Sequence, residues 1–180
     1  MKEQSPAVRP IFLCGFMGVG KTTVGKRLAE LRACRFVDLD LAIEAEAGCA
    51  IPAIFANEGE AGFRRRESTA LRSLALADTV VALGGGALTK SENFEFIASA
   101  GILIYLSASV ETLMDRLSDA TEFRPLLAGL SLAERRAKIL QLMGEREAVY
   151  RKAQLEISTD GLSADAVAAK ANALITERAS

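Results

Sequence analysis

Between an apolar run at Ile11–Cys14 and a helix-spaced series at Val24, Leu28 and Leu31, the chain reads Gly15-Phe16-Met17-Gly18-Val19-Gly20-Lys21-Thr22. This is the pattern GxxxxGK[ST], and its setting constrains the fold: a strand must deliver the chain to the loop and a helix must carry it away. There, Gly18, Val19 and Gly20 let backbone N–H groups turn inward around phosphate oxygens, and the start of the helix adds its dipole. Lys21 neutralises phosphate charge, Thr22 offers a hydroxyl to Mg²⁺, and Thr23 joins the nucleotide-binding set. An ordinary glycine-rich turn is the bland alternative, but it asks for neither Lys21 nor Thr22.

The rest of the chain alternates strands with helices. Phe36-Val37 leads into Asp38-Leu39-Asp40 at a strand end, and a short helix over 41–47 closes at Gly48. Two helices are expected between Ile51 and Ala77, broken near Asn57-Glu58-Gly59, with Pro52 in the first turn of the earlier one. Thr79–Leu83 and Ile102–Leu106 read as buried strands, the second followed by a helix from about Ser109. Residues 118–130 are polar and turn-rich and suit a mobile lid, and Ser131 opens a charged helix running to Tyr150. A strand at Leu155–Ser158 and a helix from about Ser163 to Thr176 complete the series. Such alternation predicts a parallel sheet with helices on both faces, and together with the phosphate-loop motif it predicts an α/β, three-layer P-loop NTPase fold, built as one domain over residues 1–180.

Composition narrows the chemistry. With no histidine, every Ser-His or Cys-His nucleophile scheme and the usual zinc ligand are excluded, so catalysis rests on Asp, Glu, Lys or Arg. Cys14, Cys34 and Cys49 are odd in number and widely spaced, which argues against disulfides or a zinc site and for buried reduced thiols. A formal net charge of −1 provides no field for a nucleic-acid backbone or an anionic membrane. No apolar stretch suits a signal or a membrane span, and a cytoplasmic location is expected.

Three further clusters carry candidate chemistry. Asp38 and Asp40, alternating at a strand end, are expected to point to opposite sides, one toward hydrated Mg²⁺ and the other toward substrate hydroxyls; a solvated helix cap is the alternative. Arg64, Arg65 and Arg66 fan out by about 100° each on a helix, so they cannot share a pocket. Glu60 and Glu67 flank Arg64 at spacings that support plain surface ion pairs. Gly84-Gly85-Gly86, after a buried strand, lets a ligand approach backbone amides closely, or simply makes a tight turn.

Taken together, GFMGVGKTTVG, Phe36-Val37-Asp38-Leu39-Asp40, Gly59-Glu60 with Phe63-Arg64 and Glu67, the triple glycine, and Arg124-Pro125-Leu126-Leu127 resemble the shikimate kinase family over nearly the whole chain. The resemblance implies a nucleoside-monophosphate-kinase-like fold with a central five-stranded parallel sheet, and transfer of the γ-phosphate of ATP to the 3-hydroxyl of shikimate with Mg²⁺. It implies that Lys21 contacts the β- and γ-phosphates and that Thr22 and Asp38 serve the metal. Asp40 binds and helps deprotonate the substrate hydroxyl, and Arg64 and Arg151 clamp the carboxylate. Gly85 and Gly86 give backbone contacts, Phe55 and Phe63 line the pocket, Glu67 orients Arg64, Arg124 in the lid covers the transferring phosphoryl group, and Arg116 stacks near the adenine. The family's usual monomer is expected, with shikimate and MgATP as its partners and neither nucleic acid nor membrane among them.

Three alternatives account for fewer of these residues. A gluconate-kinase-like enzyme shares phosphate loop and lid but leaves the paired Asp, FRxxE and RPLL unexplained. A nucleotide switch lacks an Asn-Lys-x-Asp segment for guanine, and an inactive binding module has no need of Lys21, Asp40, Arg64, Arg124 and Arg151 together.

Overall fold

A computed structural model describes residues 9–118, 127 and 129–179. Five strands, β1 (Ile11–Cys14), β2 (Arg35–Asp38), β3 (Thr79–Ala82), β4 (Ile102–Ser107) and β5 (Leu155–Ser158), form one sheet in the order β2-β3-β1-β4-β5. Every pairing is parallel, with Ile11 opposite both Val80 and Ile102. Parallel neighbours need crossovers, which helices α1 (Lys21–Leu31), α2 (Leu39–Ala47), α3 (Ile51–Leu74), α4 (Ser91–Ala100), α5 (Val110–Ser118), α6 (Leu132–Tyr150) and α7 (Ala164–Ala179) supply.

The period of two along each strand divides the interior. Ile11, Leu13, Val80, Ile104 and Leu106 face one core with Val24 and Leu28 of α1 and Val167 and Ala171 of α7. Phe12, Cys14, Val81, Leu103 and Tyr105 face the other, with Leu39, Ile43, Ile54 and Leu71 from α2 and α3. Strands buried on both faces read as continuous apolar runs, which is why β1, β3 and β4 are plain in the sequence. Helix α6 spans both cores, giving Ile139 and Leu142 to the first and Tyr150 to the second.

Several expectations need revision. Leu31 is 56% exposed and does not extend the buried stripe of Val24 and Leu28. Of the cysteines only Cys14 is buried; Cys34 and Cys49 are partly exposed, and all three are free thiols. The expected break near Asn57-Glu58-Gly59 is present: the helical stretch 51–74 is two helices meeting at a kink at Gly59, whose φ and ψ are 68° and 179°. Asp40 is not on a strand: Asp38 ends β2 and caps α2 by accepting from the N–H groups of Asp40 and Leu41, so the helix begins at Leu39. No helix among the described residues is long and apolar enough to cross a membrane.

Candidate active site

The phosphate loop, Asp38 and the triple glycine gather at the carboxyl edge of the sheet, where β1, β2 and β3 release them side by side. Gly20 is the N-cap of α1 at φ 98°, in a left-handed conformation that side chains avoid and the loop requires. Lys21 turns back over the loop, its Nζ donating to the carbonyls of Gly15 at 2.9 Å and Phe16 at 3.1 Å. The ammonium is thereby stationed above the loop whose amides receive phosphate.

Thr22 Oγ1 donates to Asp38 Oδ2 at 2.6 Å, pairing the second residue of α1 with the last residue of β2. Two hard oxygen donors beside a phosphate loop fit Mg²⁺, which binds through one or two protein oxygens plus substrate phosphates. Among the described residues no cluster of three acidic or thiol side chains offers a site closed by protein ligands alone. Asp38 thus serves as helix cap and candidate metal support together.

Beside this corner a cluster of charged side chains gathers over the bare glycines. A Cβ on Gly84 would stand 2.5 Å from Asp40 Oδ1 and 3.2 Å from Glu67 Oε1, and one on Gly86 would stand 2.6 Å from Arg64 Nη2. Bare α-carbons there let both carboxylates and the guanidinium converge. Burial pushes the Asp40 carboxyl above its ordinary range, and the like charge of Asp38 adds to the shift, while Lys21 and Arg64 oppose it. Asp40 therefore holds a proton more readily than a surface aspartate, a property suited to accepting one from an alcohol.

Arg64 Nη1 donates to Glu67 Oε2 at 2.9 Å, and Nη2 reaches Glu60 Oε1 at 3.4 Å. Glu67 is 1% exposed, so this is no surface pair. Its own carboxyl is pushed upward by burial and held down by Arg64. Phe63 and Phe55 stack beside it with ring centroids 4.7 Å apart, and the guanidinium of Arg64 lies 5.3 Å over the Phe63 ring. Arg66 instead forks onto Glu58 across the Gly59 kink, at 2.8–3.0 Å.

Arg151 is not in this cluster. It follows the last residue of α6, its side chain is 64% exposed, and it pairs with Glu147 at 2.7 Å on the outer surface. The arginine that α6 brings to the site is Arg146, whose Nη1 would lie 3.1 Å from a Cβ on Gly85. Five helical steps lie between the two arginines, about 500° of rotation, so they face different directions. A signal was present: Arg146 falls on the stripe of Ile139, Leu142 and Tyr150, where an arginine needs a partner or a ligand. Tyr150, also unanticipated, donates its hydroxyl to the carbonyl of Gly85.

On the other flank of the phosphate loop, a cavity of ≈ 300 Å³ is lined by Gly18, Val19, Gly20, Thr23, Arg116 and Thr159, among others. Arg116 is fixed there by bonds to Val19 O at 3.2 Å, Thr159 Oγ1 at 3.0 Å and Thr159 O at 3.0 Å. Its flat guanidinium offers a stacking surface for a nucleobase. Arg124 and most of the expected lid lie outside the described residues.

Comparison with known proteins shows the family. The shikimate kinase family model matches residues 17–176. A shikimate kinase of Chlorobium chlorochromatii is 46% identical over 156 residues, covering 83% of this chain and 82% of its own. The structure of shikimate kinase from Acinetobacter baumannii in complex with shikimate superposes with a TM-score of 0.87 at 40% identity, over 95% of this chain and 94% of that one. That of Bacteroides thetaiotaomicron shikimate kinase gives a TM-score of 0.89 at 33% identity, over 93% of this chain and 98% of the other.

Proposed function

Because this chain belongs to the shikimate kinase family, we propose that it transfers the γ-phosphate of ATP to the 3-hydroxyl of shikimate, releasing ADP and shikimate 3-phosphate. The observation that carries the reading is the convergence of Asp40, Arg64 and Arg146 on the Gly84–Gly86 floor, beside a phosphate loop bearing Lys21. An acceptor with a carboxylate at one end and hydroxyls at the other matches two guanidinium groups facing one carboxylate.

In this reading Gly18, Val19, Gly20, Lys21, Thr22 and Thr23 hold the triphosphate, and Arg116 borders the base. Arg64 and Arg146 clamp the acceptor's carboxylate, Gly85 and Gly86 supply amides, Phe55 and Phe63 form its wall, and Asp40 receives the 3-hydroxyl. The hydroxyl oxygen bonds to the γ-phosphorus as its proton passes to Asp40, and the bond from the γ-phosphorus to the bridging oxygen breaks. Lys21 leaves the Gly15 and Phe16 carbonyls for the phosphates. Thr22, and Asp38 through water, would hold Mg²⁺, which would neutralise phosphate charge. Arg124, from a lid at about 118–130, offsets the charge that develops on the transferring group.

We assign residues 1–180 to a single cytoplasmic domain acting as a monomer, since one chain contributes every group named. A coupled ADP-release assay with MgATP and shikimate, gluconate or no acceptor, with identification of the phosphorylated product, tests the reading. Release that depends on shikimate supports it; release with gluconate alone, or none, refutes it.

A further inference from the structure

The carbonyls of the triple-glycine loop are all held by the protein, but by different means. Gly84 O accepts from the Ala87 N–H at 3.1 Å, and Gly86 O accepts from Thr89 through its N–H at 3.1 Å and Oγ1 at 2.7 Å. These are local bonds of the turn that follows. Gly85 O, between them, is held from a distant helix, by the hydroxyl of Tyr150. The amides of Gly85 and Gly86 have no hydrogen-bond partner among the described residues.

A trans peptide unit is planar, with its C=O and N–H pointing to opposite sides, and no described residue has a cis bond. Fixing Gly85 O therefore fixes the direction of the Gly86 N–H. A peptide between two glycines resists rotation less than any other, so its orientation needs an external hold. Arg64 borders Gly86, and Arg146 borders Gly85. We propose that Tyr150 is a positioning residue whose hydroxyl, by holding the Gly85 carbonyl, presents the Gly86 N–H as a third donor to the carboxylate clasped by Arg64 and Arg146. The inference rests on the acceptor reading given above.

Tyr150 is built for such a hold. It is 3% exposed, and its ring lies 5.3 Å from that of Tyr105, so the phenol has little freedom to leave. Burial pushes its pKa up to about 12, against the opposing charge of Arg146, which keeps the hydroxyl a donor across the physiological range. A buried phenol commonly finds some partner merely to be satisfied. What distinguishes the proposed role is its consequence at Gly86, one peptide away from the bond.

The test is amide NMR of ¹⁵N-labelled protein with and without shikimate, run beside steady-state kinetics. In the unaltered protein the Gly86 amide proton should move downfield on binding. In Tyr150→Phe that response should vanish and the shikimate KM rise about tenfold, with kcat and the MgATP KM within about twofold. Persistence of the response in Tyr150→Phe, even with a raised KM, would overturn the proposal, because the phenol would then act through packing or through Arg146. An unmoved Gly86 amide in unaltered protein that turns over shikimate would also overturn it, whereas failure to turn over shikimate at all refutes the acceptor reading instead. Should Tyr150→Phe not fold, a crystal structure of the unaltered protein with shikimate decides: Gly85 O on Tyr150 and Gly86 N on the carboxylate support the proposal, and a flipped peptide defeats it.

Discussion

Arg64 and Glu67 stand one turn apart on α3, joined at 2.9 Å, with the arginine side chain 24% exposed and the glutamate 1%. The same sequence spacing on an outer face contributes a few tenths of a kcal/mol. Here the pair fixes a guanidinium against Gly86, and its value lies in aim.

That pair gives a pH-dependent prediction. Glu67 has its folded pKa raised above the ordinary 4.5 by burial, with Arg64, Asp40 and Arg146 as its charged neighbours. A raised carboxyl stabilises the fold below its unfolded pKa and loses that contribution as pH rises through the folded value. The stability of the unaltered protein relative to Glu67→Gln should therefore fall from pH 4.5 upward, by at most about 1.4 kcal/mol per pH unit. Urea unfolding of both proteins at several pH values measures this. A difference that grows with pH would mean that Arg64 outweighs desolvation.

The two arginines of α6 separate by mutation. Arg146→Ala should raise the shikimate KM by about a hundredfold, as loss of a desolvated charge-assisted contact does. Arg151→Ala should leave it within about twofold, because its partner is the exposed Glu147. Steady-state kinetics with saturating MgATP would expose a reversed assignment directly.

Replacing Asp40 with Asn should lower kcat by about 10²–10⁴ while nucleotide affinity changes little, since Asp40 lies over Gly84 and away from the Arg116 cavity. Calorimetric titration with an ATP analogue, paired with turnover assays, checks both halves. Undiminished kcat would remove Asp40 from the proton-accepting role.

Gly86→Ala should act as a clash at Arg64. Its Cβ would meet Nη2 at 2.6 Å and Nη1 at 2.9 Å, and the guanidinium can give way only by leaving its aim on the carboxylate. Shikimate KM should rise about tenfold or more, with the MgATP KM steady. Equal loss for both substrates would point to disruption of the fold.

Chelation offers a fourth kinetic test. Excess EDTA should abolish ADP release yet leave shikimate binding measurable by calorimetry, because Thr22 and Asp38 sit on the nucleotide side of Asp40.

What the sequence by itself determined is what depends on near neighbours in the chain. The phosphate loop follows from glycines at fixed offsets, β1, β3 and β4 from unbroken apolar runs, α6 from its Ser131–Glu134 capping box, and the Arg64–Glu67 pair from a three-residue spacing. The start of α2 is not legible in the alternating Asp38-Leu39-Asp40, which reads as a strand end through Asp40, whereas the Asp38 carboxylate satisfies two helix amides and draws the helix back to Leu39. Only the tertiary structure decided between Arg146 and Arg151. Sequence offers two arginines five residues apart on one charged helix, and the choice depends on how α6 lies across both cores to set Tyr150 against Tyr105. That packing turns one arginine onto a glycine floor that begins at Gly84, far earlier in the chain, and leaves the other in water. Helical rotation relates the two side chains, but the direction of the site is fixed by contacts between distant segments, which local propensity does not encode.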